Sequence, residues 1–197
     1  MIDIRKIDKS VYFYAALSGS IAYFALWIAS AAIDGTWVLG QKSLSDLGIS
    51  ENQASAVLFN AACIFSGLMG MVHGHGWFYN CDGKCRIGGI FLALSGLSLA
   101  LIGVFTLDYG NLHNAVSFIM GVFACLAIAT GFVHDYLNKR KGYMAFTLVI
   151  AAIFLISVLF FDFNINEPII VTCSLLWIPV NGYKVSKGLY LSENARI

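Results

Sequence analysis

The segment SVYFYAALSGSIAYFALWIASAAI, residues 10–33, contains no charged residue. A helix rises 1.5 Å per residue, so this segment is long enough to cross the roughly 30 Å hydrocarbon core of a bilayer. Five further apolar segments of similar length follow, at about 54–79, 87–107, 115–133, 143–161 and 169–187. The sequence therefore predicts an all-α, polytopic membrane protein, built as a bundle of six transmembrane helices.

The composition excludes several classes of protein. Of the 197 residues, 59% are hydrophobic and 12% are charged, whereas a soluble domain has about 25% charged residues. A soluble fold of this size could not hide so much apolar surface from water. Lys plus Arg number 12 and Asp plus Glu number 11, so the basic excess of a nucleic-acid-binding domain is missing. We expect a single six-helix domain over residues 1–197 and no nucleic-acid partner.

The positions of the lysines and arginines predict the orientation. With six spans, eleven of the twelve fall at one end of the bundle, and Lys42 falls at the other. The eleven are Arg5, Lys6, Lys9, Lys84, Arg86, Lys139, Arg140, Lys141, Lys184, Lys187 and Arg196. Lys and Arg concentrate in the cytoplasmic loops of membrane proteins. The sequence thus predicts a multi-pass protein of the cell membrane with both the N- and the C-terminus in the cytoplasm.

Small residues recur along the second and third apolar segments. They are Gly70, Gly74, Gly89, Ala93, Gly96, Ala100 and Gly103. Faces of small residues let helix backbones approach closely inside a membrane. We favour packing within one bundle as their role, and a homodimer interface is the alternative.

The predicted outer loops, residues 34–53, 108–114 and 162–168, bring a set of polar side chains to one end of the bundle. We take Ser45, Asp46, Asp108 and His113 as candidate catalytic residues, because a serine becomes nucleophilic beside a base that an acid orients. Contact between Asp108 and His113 is expected. The candidate ligand-binding residues are Ser43, Asn60 and Glu167. Two alternatives remain open: the carboxylates and the imidazole bind a divalent metal, or Ser43 and Asp46 form a capping box that only closes a helix start.

Histidines and cysteines gather near the predicted inner end. His73 and His75 end the second span, His134 ends the fourth, and Cys81 and Cys85 lie in the intervening loop. Two histidines with two cysteines can bind zinc, and paired histidines on separate helices can bind haem. Interfacial histidines and reduced thiols without a ligand are the simpler interpretation, so the cofactor is left open.

Several short motifs resemble those of a known family. They are Ser43-Leu-Ser-Asp-Leu-Gly48, Phe59-Asn60 with Gly67, Gly103-Val-Phe-Thr-Leu-Asp108 with His113, and Glu167 ahead of Trp177. Together they resemble the DUF998 family of six-span prokaryotic membrane proteins, which is more remotely similar to the Frag1/DRAM/Sfk1 group associated with membrane lipid organisation. The chain departs from the family pattern at Thr106 and Asp108, where proline and often glutamate occur, and at Pro168, where a basic residue occurs. The resemblance implies the fold and an important outer end, but no activity.

These observations lead to a functional expectation. We expect the outer polar residues to bind a lipid headgroup or a small polar ligand, with membrane lipids as partners. If the site is catalytic, the same residues also process that ligand. The alternative is a non-catalytic subunit or scaffold, forming a homo- or hetero-oligomer within the membrane. A transporter ranks last, because no apolar segment carries a charged residue at its middle.

Overall fold

Six α-helices account for most of the computed structural model, which describes residues 8–191. They are α1 (Ser10–Asp34), α2 (Gln53–Tyr79), α3 (Arg86–Ile102), α4 (Asn111–Leu137), α5 (Lys141–Phe160) and α6 (Phe163–Ser186). Three short 3-10 segments, Ser45–Ile49, Gly83–Cys85 and Leu107–Tyr109, lie between them. All six helices are long and apolar enough to cross a membrane. The predicted all-α bundle of six transmembrane helices is therefore confirmed.

The helices run alternately up and down, so that the connections fall at two ends. One end, here the basic end, carries eight of the described lysines and arginines: Lys9, Lys84, Arg86, Lys139, Arg140, Lys141, Lys184 and Lys187. The other, the acidic end, carries Lys42 with Asp34, Asp46, Glu51, Asp108, Asp162 and Glu167. Arg5, Lys6 and Arg196 lie outside the described residues. Which end faces the cytoplasm stays a prediction.

The closest helix contact joins α2 to α3 through small residues. A methyl group added at Gly67 would lie 2.5 Å from the backbone nitrogen of Ala100. One added at Gly74 would lie 2.6 Å from the backbone nitrogen of Ala93. Such distances are far below van der Waals contact, so the two backbones touch because these positions lack side chains. The stripe of small residues is thus used for packing within the bundle, as favoured above.

Two helices begin earlier than the sequence predicts. Helix α4 starts at Asn111 rather than near 115, so His113 lies in its first turn. Helix α6 starts at Phe163 rather than near 169, because the Asp162 carbonyl accepts hydrogen bonds from the backbone N–H groups of Ile165 and Asn166. Pro168, which marked a loop in the sequence, is inside α6, where it removes one helix hydrogen bond. Glu167 and His113 are therefore helical residues rather than loop residues.

The contact between α2 and α3 generates a stability prediction. We expect Gly74→Ala to lower the free energy of unfolding by about 1–3 kcal/mol, because its new methyl group would push against backbone. Gly121→Ala is the matched control, since nothing lies within 4 Å of a methyl group there, and we expect it to be neutral or slightly stabilising. Thermal unfolding in detergent measures both. Equal behaviour of the two variants would contradict the close approach of α2 and α3.

Candidate functional site

The loop between α1 and α2 is shaped by a reciprocal pair of capping hydrogen bonds. The Ser43 backbone N–H and hydroxyl donate to Asp46 Oδ2 at 2.7 and 2.8 Å, and the Asp46 backbone N–H donates to Ser43 Oγ at 3.2 Å. This is the capping box that the sequence offers as the structural alternative for these residues. Ser43 and Asp46 thus hydrogen-bond to each other, and these bonds fix the start of the segment Ser45–Ile49.

Glu167 of α6 holds the same loop from the other side. Its Oε2 accepts a hydrogen bond from the backbone N–H of Leu44 at 2.7 Å, and its Oε1 lies 3.2 Å from Ser45 Oγ. The Leu44 side chain is fully buried. Since a buried N–H without a partner is costly, the carboxylate supplies an acceptor that the loop needs. Glu167 thereby joins α6 to the loop and places an acid beside Ser45.

His113 approaches Ser45 from α4. Its Nδ1 lies 2.8 Å from the Phe105 carbonyl oxygen, and its Nε2 lies 3.2 Å from Ser45 Oγ. A carbonyl oxygen only accepts hydrogen bonds, so Nδ1 carries a proton. The His113 residue is 4% exposed. The Phe105 carbonyl thus orients the imidazole, which is the task that an acid performs in a catalytic triad.

The group formed by Ser45, His113 and Glu167, here the outer triad, places one hydroxyl between a ring nitrogen and a carboxyl oxygen. Ser45 has one hydroxyl proton but faces a ring nitrogen and a carboxyl oxygen. If His113 Nε2 and Glu167 are both unprotonated, only one of the two contacts is a full hydrogen bond. Both are hydrogen bonds when either the imidazole is cationic or the carboxyl is protonated. In either case Ser45 donates its single proton to only one of the two groups.

The remaining predicted site residues lie apart from this group. The Asp108 carboxylate accepts a hydrogen bond from the Thr106 hydroxyl on the exposed segment Leu107–Tyr109. The expected contact between Asp108 and His113 is thus wrong, because the His113 ring turns toward the Phe105 carbonyl and Ser45. Asn60 Nδ2 donates to the Gly48 carbonyl at 2.9 Å, so Asn60 supports the loop backbone.

A second polar cluster lies at the basic end of the bundle, and its residues are not among the predicted site residues. Lys184 Nζ of α6 lies 2.6 Å from Asp135 Oδ2 of α4, and both side chains are almost fully buried. Nearby, Asn181 Nδ2 donates to Tyr190 Oη at 2.6 Å, and burial raises the pKa of the Tyr190 phenol. Both charged residues fall at the margins of apolar segments in the sequence, where they are expected to be solvated. The pairing of α4 with α6 has no local sequence signal.

The histidines and cysteines near the basic end, for which the sequence leaves zinc and haem open, lie in separate surroundings. Among residues 8–191, no group of three or more His, Cys, Asp or Glu side chains could hold a metal ion. His73 contacts Asn181, and His75 packs against Tyr79. Cys81 and Cys85 are both buried free thiols, and a hydrogen bond with Cys85 and burial raise the pKa of the Cys81 thiol.

Comparison with known families identifies the chain. The family model described as "Protein of unknown function (DUF998)" matches residues 17–180, so the chain belongs to the DUF998 family. The match covers the loop, α4 and the first turns of α6, and hence the whole outer triad. No curated protein and no solved structure shows significant similarity. Similarity to the Frag1/DRAM/Sfk1 group stays a prediction.

Proposed function

We propose that this member of the DUF998 family binds a lipid headgroup or another small polar ligand at its acidic end, through the outer triad of Ser45, His113 and Glu167. The observation that carries the proposal is the position of Ser45 Oγ, 3.2 Å from both His113 Nε2 and Glu167 Oε1. Three separate elements bring these groups together. A hydroxyl, an imidazole and a carboxyl at one point form a polar centre at the end of an otherwise apolar bundle.

The simplest structural role does not account for all three groups. Ser43 and Asp46 already cap the segment Ser45–Ile49, and Asn60 already holds the Gly48 carbonyl. His113 adds an ionisable ring that the capping does not require, and it does so at a membrane helix. Ionisable groups at such positions are costly and usually serve a function. This surplus of polar groups supports a binding role.

The chemistry of the outer triad indicates the class of ligand. The Ser45 hydroxyl can donate a hydrogen bond to a phosphate oxygen, and the Glu167 carboxylate can accept one from a hydroxyl. Lipid headgroups commonly offer both kinds of atom. A serine hydroxyl beside an imidazole nitrogen is also the arrangement that makes a serine nucleophilic. The proposal therefore has a chemical form, in which Ser45 Oγ attacks the phosphorus of the bound headgroup and the bond from phosphorus to its leaving alcohol oxygen breaks. His113 Nε2 takes the Ser45 hydroxyl proton and gives it to that alcohol.

The alternative function, a non-catalytic subunit or scaffold, has less support. Its main sequence feature was the stripe of small residues, which offered a surface for a second membrane protein. Gly67 and Gly74 instead contact α3 of the same chain at backbone distance. The stripe is therefore occupied, and a partner would have to use another face.

Location and orientation belong to the same proposal. We place the protein in the cell membrane with the basic end, and hence both termini, in the cytoplasm, and with membrane lipids as partners. Support comes from eight lysines and arginines at one end against Lys42 at the other. The outer triad then faces away from the cytoplasm.

Lipid retention tests the binding proposal. We expect wild-type protein purified in mild detergent to carry a native lipid that mass spectrometry identifies. His113→Ala and Ser45→Ala should lower its occupancy by about tenfold or more, since each removes a hydrogen bond to a polar or charged group. Asp108→Asn is the matched control, because Asp108 lies at the same end but outside the outer triad, and its occupancy should stay at the wild-type level. Unchanged retention in His113→Ala would contradict the proposal.

A further inference from the structure

A groove between α5 and α6 opens at the basic end of the bundle. The groove is open to its surroundings, and its volume is about 470 Å³. The lining residues are Arg140, Lys141, Gly142, Tyr143, Phe146 and Val180. A narrower cleft continues inward from Tyr143, Phe146 and Val180 to the buried pair of Asp135 and Lys184. This groove is at the opposite end from the outer triad.

The charge around the groove is positive. Its lining and that of the inner cleft include three cations, Arg140, Lys141 and Lys184, and one carboxylate, Asp135. Lys184 neutralises Asp135 at 2.6 Å. Arg140 is held 3.8 Å from Asp135 and donates a hydrogen bond to the Leu189 carbonyl. Arg140 and Lys141 thus leave a positive field at the mouth of the groove.

The first turn of α5 adds to this field. Helix α5 begins at Lys141, and the side chain of its N-cap residue, Arg140, makes no hydrogen bond to the first turn. The first N–H groups of a helix lack partners within the helix and carry the positive end of its dipole. They lie beside the exposed Lys141. A negatively charged group at the mouth would meet both the cations and these donors.

The walls further along the groove suit an acyl chain. Phe146 and Val180 both line it, and the next residues of α5 as far as Phe160 are apolar except Thr147 and Ser157. Only Thr147, Ile150 and Ser157 of α5 are buried, so most of this helix meets lipid. A ligand with a charged head and an apolar tail therefore matches the groove along its length.

We propose that the groove between α5 and α6 is a binding site for an anionic phospholipid, with its phosphate at Arg140 and Lys141 and an acyl chain along Phe146 and Val180. The predicted orientation places this end in the cytoplasmic leaflet, whose surface is negative. The site is independent of the outer triad. The bound lipid fills the space between two helices and fixes α5 against α6.

The test compares phosphatidylglycerol with phosphatidylcholine of the same acyl chains, added to the full-length, delipidated protein and followed by native mass spectrometry. We expect tighter binding of phosphatidylglycerol. Lys141→Gln should weaken that binding by about fivefold, the effect of one basic residue on an anionic lipid. Lys84→Gln is the matched control, because it removes an exposed cation from the same end, on the loop between α2 and α3. Equal weakening in both variants would show diffuse attraction and overturn the site.

A second pair of variants tests the groove without changing charge. Val180→Trp fills the groove and should reduce the occupancy of phosphatidylglycerol. Val149→Trp makes the same substitution on the outward face of α5, where Val149 is exposed, and should leave occupancy unchanged. Equal affinity for the two lipids, or full occupancy in Val180→Trp, would overturn the proposal. Because the outer triad is untouched, its own lipid retention reports separately on the proposed function.

Discussion

The acidic end of this protein depends on the carboxyl group of Glu167. In a membrane bundle, polar backbone groups near the hydrocarbon must find partners within the protein. Glu167 accepts the Leu44 N–H at 2.7 Å and reaches Ser45 Oγ at 3.2 Å. One side chain of α6 thus completes the hydrogen bonding of a loop more than a hundred residues away and presents Ser45 to His113. These two contacts of Glu167, here the Glu167 clamp, therefore set the position of the outer triad.

The two ends of the bundle hold α6 by different electrostatic means. At the acidic end, hydrogen bonds through Ser45 link Glu167 to His113. At the basic end, a buried ion pair of 2.6 Å joins Lys184 to Asp135 of α4. The desolvation cost of each buried charge is compensated only while its partner stays in place. Helix α6 has the lowest mean hydropathy of the six described helices, and it contains Pro168 and Pro179. Polar contacts at both of its ends therefore add to its apolar packing.

The sequence predicts the fold and the capping box because both depend on local patterns. The lengths of the apolar segments predict six helices. Ser43, followed three residues later by Asp46, predicts a capping box. The sequence offers Asp108 as the acid for His113 because the two are close in the chain, whereas in the structure the Phe105 carbonyl orients His113. The carboxyl group beside Ser45 is that of Glu167, on α6, which lies far from the loop in the sequence. No local pattern states which helices are neighbours. The sequence also predicts too late a start for α6, because a proline beside polar residues, as at Pro168, is typical of a loop.

The clamp is tested most directly by hydrogen exchange at the Leu44 backbone amide. In the wild type this amide should exchange slowly, because Glu167 Oε2 holds it. Glu167→Ala should accelerate exchange by about 10- to 100-fold, corresponding to the loss of a hydrogen bond to a charged group. Asp162→Ala, at an exposed carboxylate nearby in the chain, should leave the rate unchanged. Fast exchange at Leu44 in the wild type, or the same rate in Glu167→Ala, would contradict the account.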